Sequence, residues 1–457
     1  MNLKVKATLD PDFTPLALVC REMREATKEN GQDLVIAVER ESGSIATYKT
    51  RVFKDGTGHD EENFRFVERI TKSLLWVAGG YKITIAGSEI VGNKIKEAYT
   101  IGGLRDFDVK FMERVYEKKF EVSVSTLENA PKDKSSPTPV GRHLDGCRIG
   151  FDAGGSDRKV SAVVNGECVY SEEVVWFPKT NSDPNYHYEG IKAAMKTAAS
   201  YMPRVDAIGV SSAGVYVNNR IMVASLFIKV SDEDFDKKVK NMYLDVAKEI
   251  GEDVPIEVAN DGDVTALAGA MELDDNAVLG IAMGTSEAGG YVDKDGNITG
   301  YLNELAFVPV DFNENALVDE WSGDFGCGVK YFSQDAVIKL APAAKIDLDE
   351  GLSPAEKLKV VQNLMAKGDE RARKIYETIG TYFGYTIAFY REFYEIKHVL
   401  IMGRVTSREG GEILLQKAQE VLDTEFPELA KEIKLHIPDE NSRRVGQSVA
   451  AASLPQA

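Results

Sequence analysis

Apolar residues recur along this chain in two rhythms. Short apolar runs at 149–152, 159–164, 207–210, 255–259, 277–283, 289–292 and 398–402 read as strands. Longer stretches with apolar positions three and four apart, at 188–202, 235–250, 264–271, 370–394 and 412–422, read as helices. Asn165-Gly166 reads as a type I′ hairpin turn, because both residues accept the positive φ it demands. Short strands alternating with longer helices predict an α/β layered fold.

The first 126 residues alternate as well. A hairpin over 33–38 and 45–52 turns near Ser42-Gly43, and a helix at 62–77, a strand at 82–86 and a helix at 89–98 follow. The same order closes the chain, so residues 1–126 read either as a degenerate half-repeat of the later fold or as ordinary βαβ units. Residues 127–146 hold three prolines, two serines and few large apolar residues, which marks an inter-domain linker. A new domain then opens at Cys147.

With 457 residues the chain holds two or three domains. Its net charge of −18 sets it against nucleic-acid phosphates, so no nucleic-acid partner is expected. A phosphate site needs only a few local donors and a metal ion, so ATP stays open. Cys20, Cys147, Cys168 and Cys327 form no CxxC pair and read as reduced, buried thiols. The start of the chain has no signal-peptide core and no apolar run nears the ~20 residues that span a bilayer. The expectation is a cytoplasmic protein with no membrane partner. The five histidines lack the spacing of a metal site. The aromatic series Phe383, Tyr385, Phe389, Tyr390, Phe393, Tyr394 has helical spacing and reads as core or dimer packing.

Four motifs carry chemistry. Asp152-Ala-Gly-Gly-Ser156 joins two strands in a tight hairpin. Glycines let backbone N–H groups approach a phosphate, Ser156 can donate to it, and Asp152 can orient Mg²⁺ through water. Glycine hairpins are common, so alone this one leaves a purely structural turn open. At Asn260-Asp261-Gly-Asp263 a strand runs into a helix. Helix capping accounts for one such residue, but three exceed what one cap requires. A carboxylate at a strand end can take a proton from a substrate hydroxyl, which is worth roughly 10²–10⁴ in rate. Gly284-Thr-Ser-Glu-Ala-Gly-Gly290 repeats the glycine-and-hydroxyl hairpin, and the strand ending at Gly403 opens a helical segment.

Taken in order, these motifs resemble the ROK family (repressor, open reading frame, kinase) of sugar kinases over residues 147–457. The segment 208–217 resembles the family's substrate-side loop, and Asn303-Glu-Leu-Ala-Phe307 its Gly-Glu-Leu-Gly-His segment. The resemblance implies a two-lobed actin-like ATPase (ribonuclease H-like) fold with an extra N-terminal α/β domain. It implies a small lobe at 147–264, a large lobe at 265–457 and a C-terminal helix returning to the small lobe. By the same resemblance Asp261 is the general base, and Asn260, Glu304, Ser212 and Gly214 contact the sugar. Gly154, Gly155, Ser156, Gly284, Thr285 and Gly403 contact the nucleotide, and Asp152 organises Mg²⁺. ATP and Mg²⁺ are the implied cofactors, a sugar or amino sugar the substrate, and a homodimer the candidate assembly.

The departures are specific. Phe307 stands where many family members place a zinc-binding histidine, and the segment 322–329 keeps only Cys327 of their cysteine cluster. One thiol without a histidine makes no tetrahedral zinc site. Val329 stands in place of a sugar-binding glutamate. A non-catalytic sugar- or nucleotide-binding regulator on the same fold therefore remains the alternative to a kinase. Transcriptional repression fits less well, because the N-terminal region is α/β and not strongly basic.

Overall fold

A computed structural model of the chain describes residues 1–135, 140–438 and 440–456, with the backbone alone at 440–445. Part of the linker expected at 127–146, residues 136–139, lies outside the described residues. The chain gathers into two compact units. One combines residues 1–136, 281–289 and 301–437, and the other combines 137–280, 290–300 and 438–457.

The first unit begins with α1 (Leu16–Ala26), then β1 (Gly31–Glu39) and β2 (Ile45–Phe53). These strands pair antiparallel from Gly31↔Phe53 to Glu39↔Ile45, and the turn between them uses positive φ at Ser42 and Gly43. Next come α2 (Asp60–Ala78), β3 (Lys82–Ala86), α3 (Glu89–Ala98), α4 (Asp106–Tyr116) and β4 (Glu121–Ser125). Ser88 caps α3 by accepting from the Val91 N–H. The sheet order is β2-β1-β3-β4, with β3 antiparallel to β1 and parallel to β4.

The second unit opens with β5 (Cys147–Ala153), β6 (Asp157–Val164) and β7 (Glu167–Val175), then α5 (Pro184–Ala199), β8 (Ala207–Ser212), β9 (Val215–Val217) and β10 (Arg220–Val223). Asn165 and Gly166 both have positive φ at the β6–β7 turn. The single helix read at 235–250 is interrupted. A short α6 (Asp232–Asp234) runs into a wide turn at Phe235–Val239, and α7 begins at Met242 and ends at Ile250. The Lys240 carbonyl at the break accepts instead from the Ile221 N–H at 2.9 Å. β11 (Ile256–Asn260) and α8 (Asp261–Leu273) follow, and the sheet order is β11-β8-β5-β6-β7. Ile149, Phe151, Val160, Ile191, Met195, Ile208 and Val246 fill its core.

Residues 1–126 and the second unit differ in strand direction. β5 and β8 are parallel, whereas β1 and β3 are antiparallel. Three strands precede the helix in the second unit and two in the first, so the returning helix delivers the next strand the opposite way round.

The chain then passes through β12 (Val278–Met283) and β13 (Glu287–Val292) into α9 (Gln334–Leu340), α10 (Pro354–Ala366), α11 (Glu370–Tyr390), β14 (His398–Met402), α12 (Glu409–Glu425), α13 (Pro427–Glu432) and β15 (Lys434–His436). The sheet order is β13-β12-β14-β15. Phe383, Tyr385, Phe389 and Tyr390 on α11 are all core residues. The last helix, α14 (Glu440–Ala452), lies on β5 and β8 of the second unit. It seats against two glycines. A Cβ at Gly150 would stand 2.3 Å from the Ser448 carbonyl, and one at Gly209 1.6 Å from that of Ala451.

Candidate active site

Three parallel strands of the second unit end together. Asn260 of β11 lies opposite Ser212 of β8, and Ser211 of β8 lies opposite Asp152 of β5. Strand register alone gathers Asp152, Ser211, Ser212, Asn260 and, one residue further, Asp261. The carboxyl ends of such strands are where α/β sheets hold ligands.

Hydrogen bonds divide the work among these groups. Asn260 caps α8: its Oδ1 accepts from the Gly262 N–H at 2.8 Å, and its Nδ2 donates to the Gly214 carbonyl at 2.7 Å. Buried Asp263 accepts from the Tyr291 N–H at 2.9 Å and so ties α8 to β13. Asp261 accepts from the Gly262 N–H at 3.0 Å and has no side-chain hydrogen-bond partner among the described residues. Of the three groups that exceeded one cap, Asp261 is the one left for other chemistry. Ser212 is fully buried, with its hydroxyl 3.0 Å from that of Tyr243, and stands behind the strand end. Gly214 offers its backbone.

The two carboxylates affect each other. Burial pushes the Asp152 carboxyl up to about 6; the Ser211 hydroxyl, donating at 2.8 Å, opposes this, and the Asp261 charge adds to it. Burial also raises Asp261, against the backbone N–H it accepts. Two hard oxygen donors that repel one another suit a divalent cation, and Asp152 fits the Mg²⁺ reading in that sense. Among the described residues no cluster of three or more His, Cys, Asp or Glu is placed to hold a metal.

The Gly154–Ser156 hairpin joins β5 to β6 and is held from β7. Trp176 donates its indole N–H to the Gly154 carbonyl at 2.8 Å and its backbone N–H to that of Ser156 at 3.1 Å. Lys179 lies over the hairpin, its ammonium nitrogen 3.0 Å from where a Gly155 Cβ would be.

The first unit carries the second hairpin. Gly284 and Thr285 link β12 to β13, and the Arg404 guanidinium donates to the Thr285 hydroxyl at 2.7 Å. Gly403 has φ +102°, and a Cβ there would stand 2.4 Å from the Met283 carbonyl, so only glycine lets β14 turn this close to β12. Beside it opens a small cavity of about 80 Å³ lined by Gln362, Met365, Tyr376, Ser407, Arg408 and Gly410. Each hairpin thus has a cation beside it. Motif reading missed Lys179, which belongs to no motif, and gave no role to Arg404, which follows Gly403 directly.

At the head of β13, buried Glu287 accepts from the Tyr390 hydroxyl at 3.3 Å, and its other oxygen has no hydrogen-bond partner among the described residues. Burial pushes this carboxyl up to about 8. Glu304 is half-buried at the start of a short helical turn, Leu305–Phe307, and its N–H donates to the Trp76 carbonyl at 3.1 Å. Phe307 packs on Trp76, ring centroids 4.4 Å apart. Cys327 is fully buried, its Sγ 3.8 Å from an Asp324 carboxylate oxygen, and burial pushes the thiol up to about 12. Where the resemblance places metal ligands, this chain has an aromatic contact and ion pairs.

A sequence model of the ROK family matches residues 148–448. No curated protein matches the chain. Among solved structures, a ROK hexokinase from Thermus thermophilus is 17% identical with a TM-score of 0.52, covering 67% of this chain and 98% of its own. A ROK family transcriptional regulator, a homologue of the E. coli MLC protein, is 17% identical with a TM-score of 0.50, covering 68% of this chain and 79% of its own. At these identities the likeness shows the fold: an actin-like sugar-kinase fold.

Proposed function

The chain belongs to the ROK family, and on that premise we propose that it transfers the terminal phosphoryl group of ATP to a hydroxyl of a sugar or amino sugar. The observation that carries this reading is the common ending of β5, β8 and β11, which sets Asp152 and Asp261 together at a strand-end crevice. Asp261, whose carboxyl pKa is raised by burial, acts as the general base toward the acceptor hydroxyl. Asn260, Ser212, Gly214 and Glu304 are the sugar contacts that the family resemblance implies, with Asn260 also capping α8. Asp152 holds Mg²⁺ through water, and bound Mg²⁺ supplies neutralisation of phosphate charge. Gly154, Gly155, Ser156, Gly284, Thr285 and Gly403 are the nucleotide contacts that the family resemblance implies. On this reading the chain works in the cytoplasm, where ATP is available.

The test is a coupled ADP-release assay with Mg-ATP against glucose, mannose and N-acetylglucosamine. One sugar stimulates turnover, and Asp261→Asn lowers kcat by roughly 10²–10⁴ with sugar binding and melting preserved. Turnover that survives Asp261→Asn refutes the base assignment. A second reading, a sugar-binding regulator without turnover, is favoured by Phe307 and Val329 at positions where the resemblance expects polar ligands. Sugar binding in calorimetry with no ADP from the wild type selects it.

A further inference from the structure

Residues 1–136 lie outside the stretch that matches the family, yet they share a unit with residues 301–437. Their contacts converge on the segment around Glu304. A helix leaves its last carbonyls without intrahelical partners. At the end of α2 those of Trp76, Val77 and Ala78 accept from the amides of Glu304 (3.1 Å), Asn303 (3.0 Å) and Leu302 (3.3 Å). The Trp76 ring, fully buried, covers Phe307 and also meets Phe111 at 4.8 Å, while its indole N–H donates to the Asp108 carboxylate on α4.

Further along the same segment, Asp324 receives Lys72 at 2.7 Å, Arg69 at 3.0 Å and Arg105 at 2.9 Å. Glu68 pairs with Arg69 and Arg105, and Asp108 lies 3.7 Å from Lys72. These three cations and three anions are all buried. A buried network of this kind adds little stability over apolar packing, but it tolerates only one arrangement, because a stranded charge is costly. From the opposite side, the Tyr394 hydroxyl donates to Asn303 Oδ1 at 2.8 Å.

We infer that the N-terminal region is the positioning element of the substrate-side segment, with Trp76 and Lys72 as positioning residues that set Glu304 for the sugar. The inference rests on the reading of Glu304 as a sugar contact.

Trp76→Phe tests this in the full chain. Calorimetry measures binding of the sugar that wild type selects from glucose, mannose and N-acetylglucosamine, and separately of a non-hydrolysable ATP analogue. The expected result is sugar binding weakened by roughly tenfold or more, as for a reactive group displaced by a fraction of an ångström, with analogue binding close to wild type and a melting temperature that falls but stays above the assay temperature. If Trp76→Phe does not fold, Phe307→Leu, the partner ring on the segment itself, is read the same way. Unchanged sugar binding, or an equal loss for sugar and analogue, overturns the positioning role and leaves the kinase reading intact. A wild type that binds none of the three sugars removes both.

Discussion

The strand-end crevice of the second unit and the Glu304 segment of the first solve the same problem by opposite means. Asp152, Ser211, Asn260 and Asp261 are placed by ladder register among strands that are themselves regular. Glu304 sits on irregular backbone and takes its place from α2, more than two hundred residues earlier in the chain. One arrangement is local and periodic; the other is tertiary, and it depends on groups that have nothing to do with phosphoryl transfer.

If the contrast is right, the largest effect belongs to the tertiary arrangement. Lys72→Met leaves Asp108 buried without its cation, while Asp324 keeps Arg69 and Arg105, and it should cost about 3–5 kcal/mol of stability. Denaturant unfolding measures it, and a loss under ~1 kcal/mol would show that the network is not needed to hold the segment.

Next comes Glu287 under the same segment. Its folded pKa, about 8, lies above the unfolded value, so the native state holds the proton more tightly. Stability therefore falls as pH rises from about 5 toward 8, by about 1.4 kcal/mol for each pH unit crossed. Glu287→Gln removes that decline, so its advantage over wild type grows with pH and levels off above 8. Parallel melting curves of the two chains across this range would contradict the burial argument.

The strand-end crevice is sharpened by its own titration. With Asp152 at about 6 in the metal-free chain, kcat/KM should drop about tenfold per pH unit below that value and stay level above it. Asp152→Asn should show the low value throughout, and an unchanged acid limb in that variant would move the titration to another group. The smallest effect is at the rim. Lys179→Met should raise the KM for Mg-ATP severalfold, about 1 kcal/mol, with Lys179→Arg restoring it and the sugar KM unmoved. An effect on the sugar instead would place Lys179 elsewhere in the mechanism.

The same contrast explains what could be read from residue order. Strand-end positions were legible because apolar runs stop at them: 255–259 ends against Asn260, and 398–402 ends at Gly403. Asn165-Gly166 announced its turn through residue chemistry. β7 was not read as a strand, because its residues alternate between exposed and half-buried and no apolar run marks it. The antiparallel pairing of β1 with β3 left no mark either, since it follows from how many strands come before the helix. Trp76, Lys72 and Asp324 were invisible as site residues, because their importance lies in partners distant along the chain. Lys179 and Arg404 are ordinary surface cations until the fold brings a glycine hairpin under them.

The seating of α14 on Gly150 and Gly209 has a consequence for biosynthesis. The second unit's sheet, begun near residue 147, completes its cover only with residues 448–452, and the first unit needs residues 301–437 to cover what residues 1–136 leave open. A ribosome delivering this chain from its N-terminus therefore holds both units open until those late segments have emerged. The nascent polypeptide therefore carries exposed apolar surface through most of its synthesis.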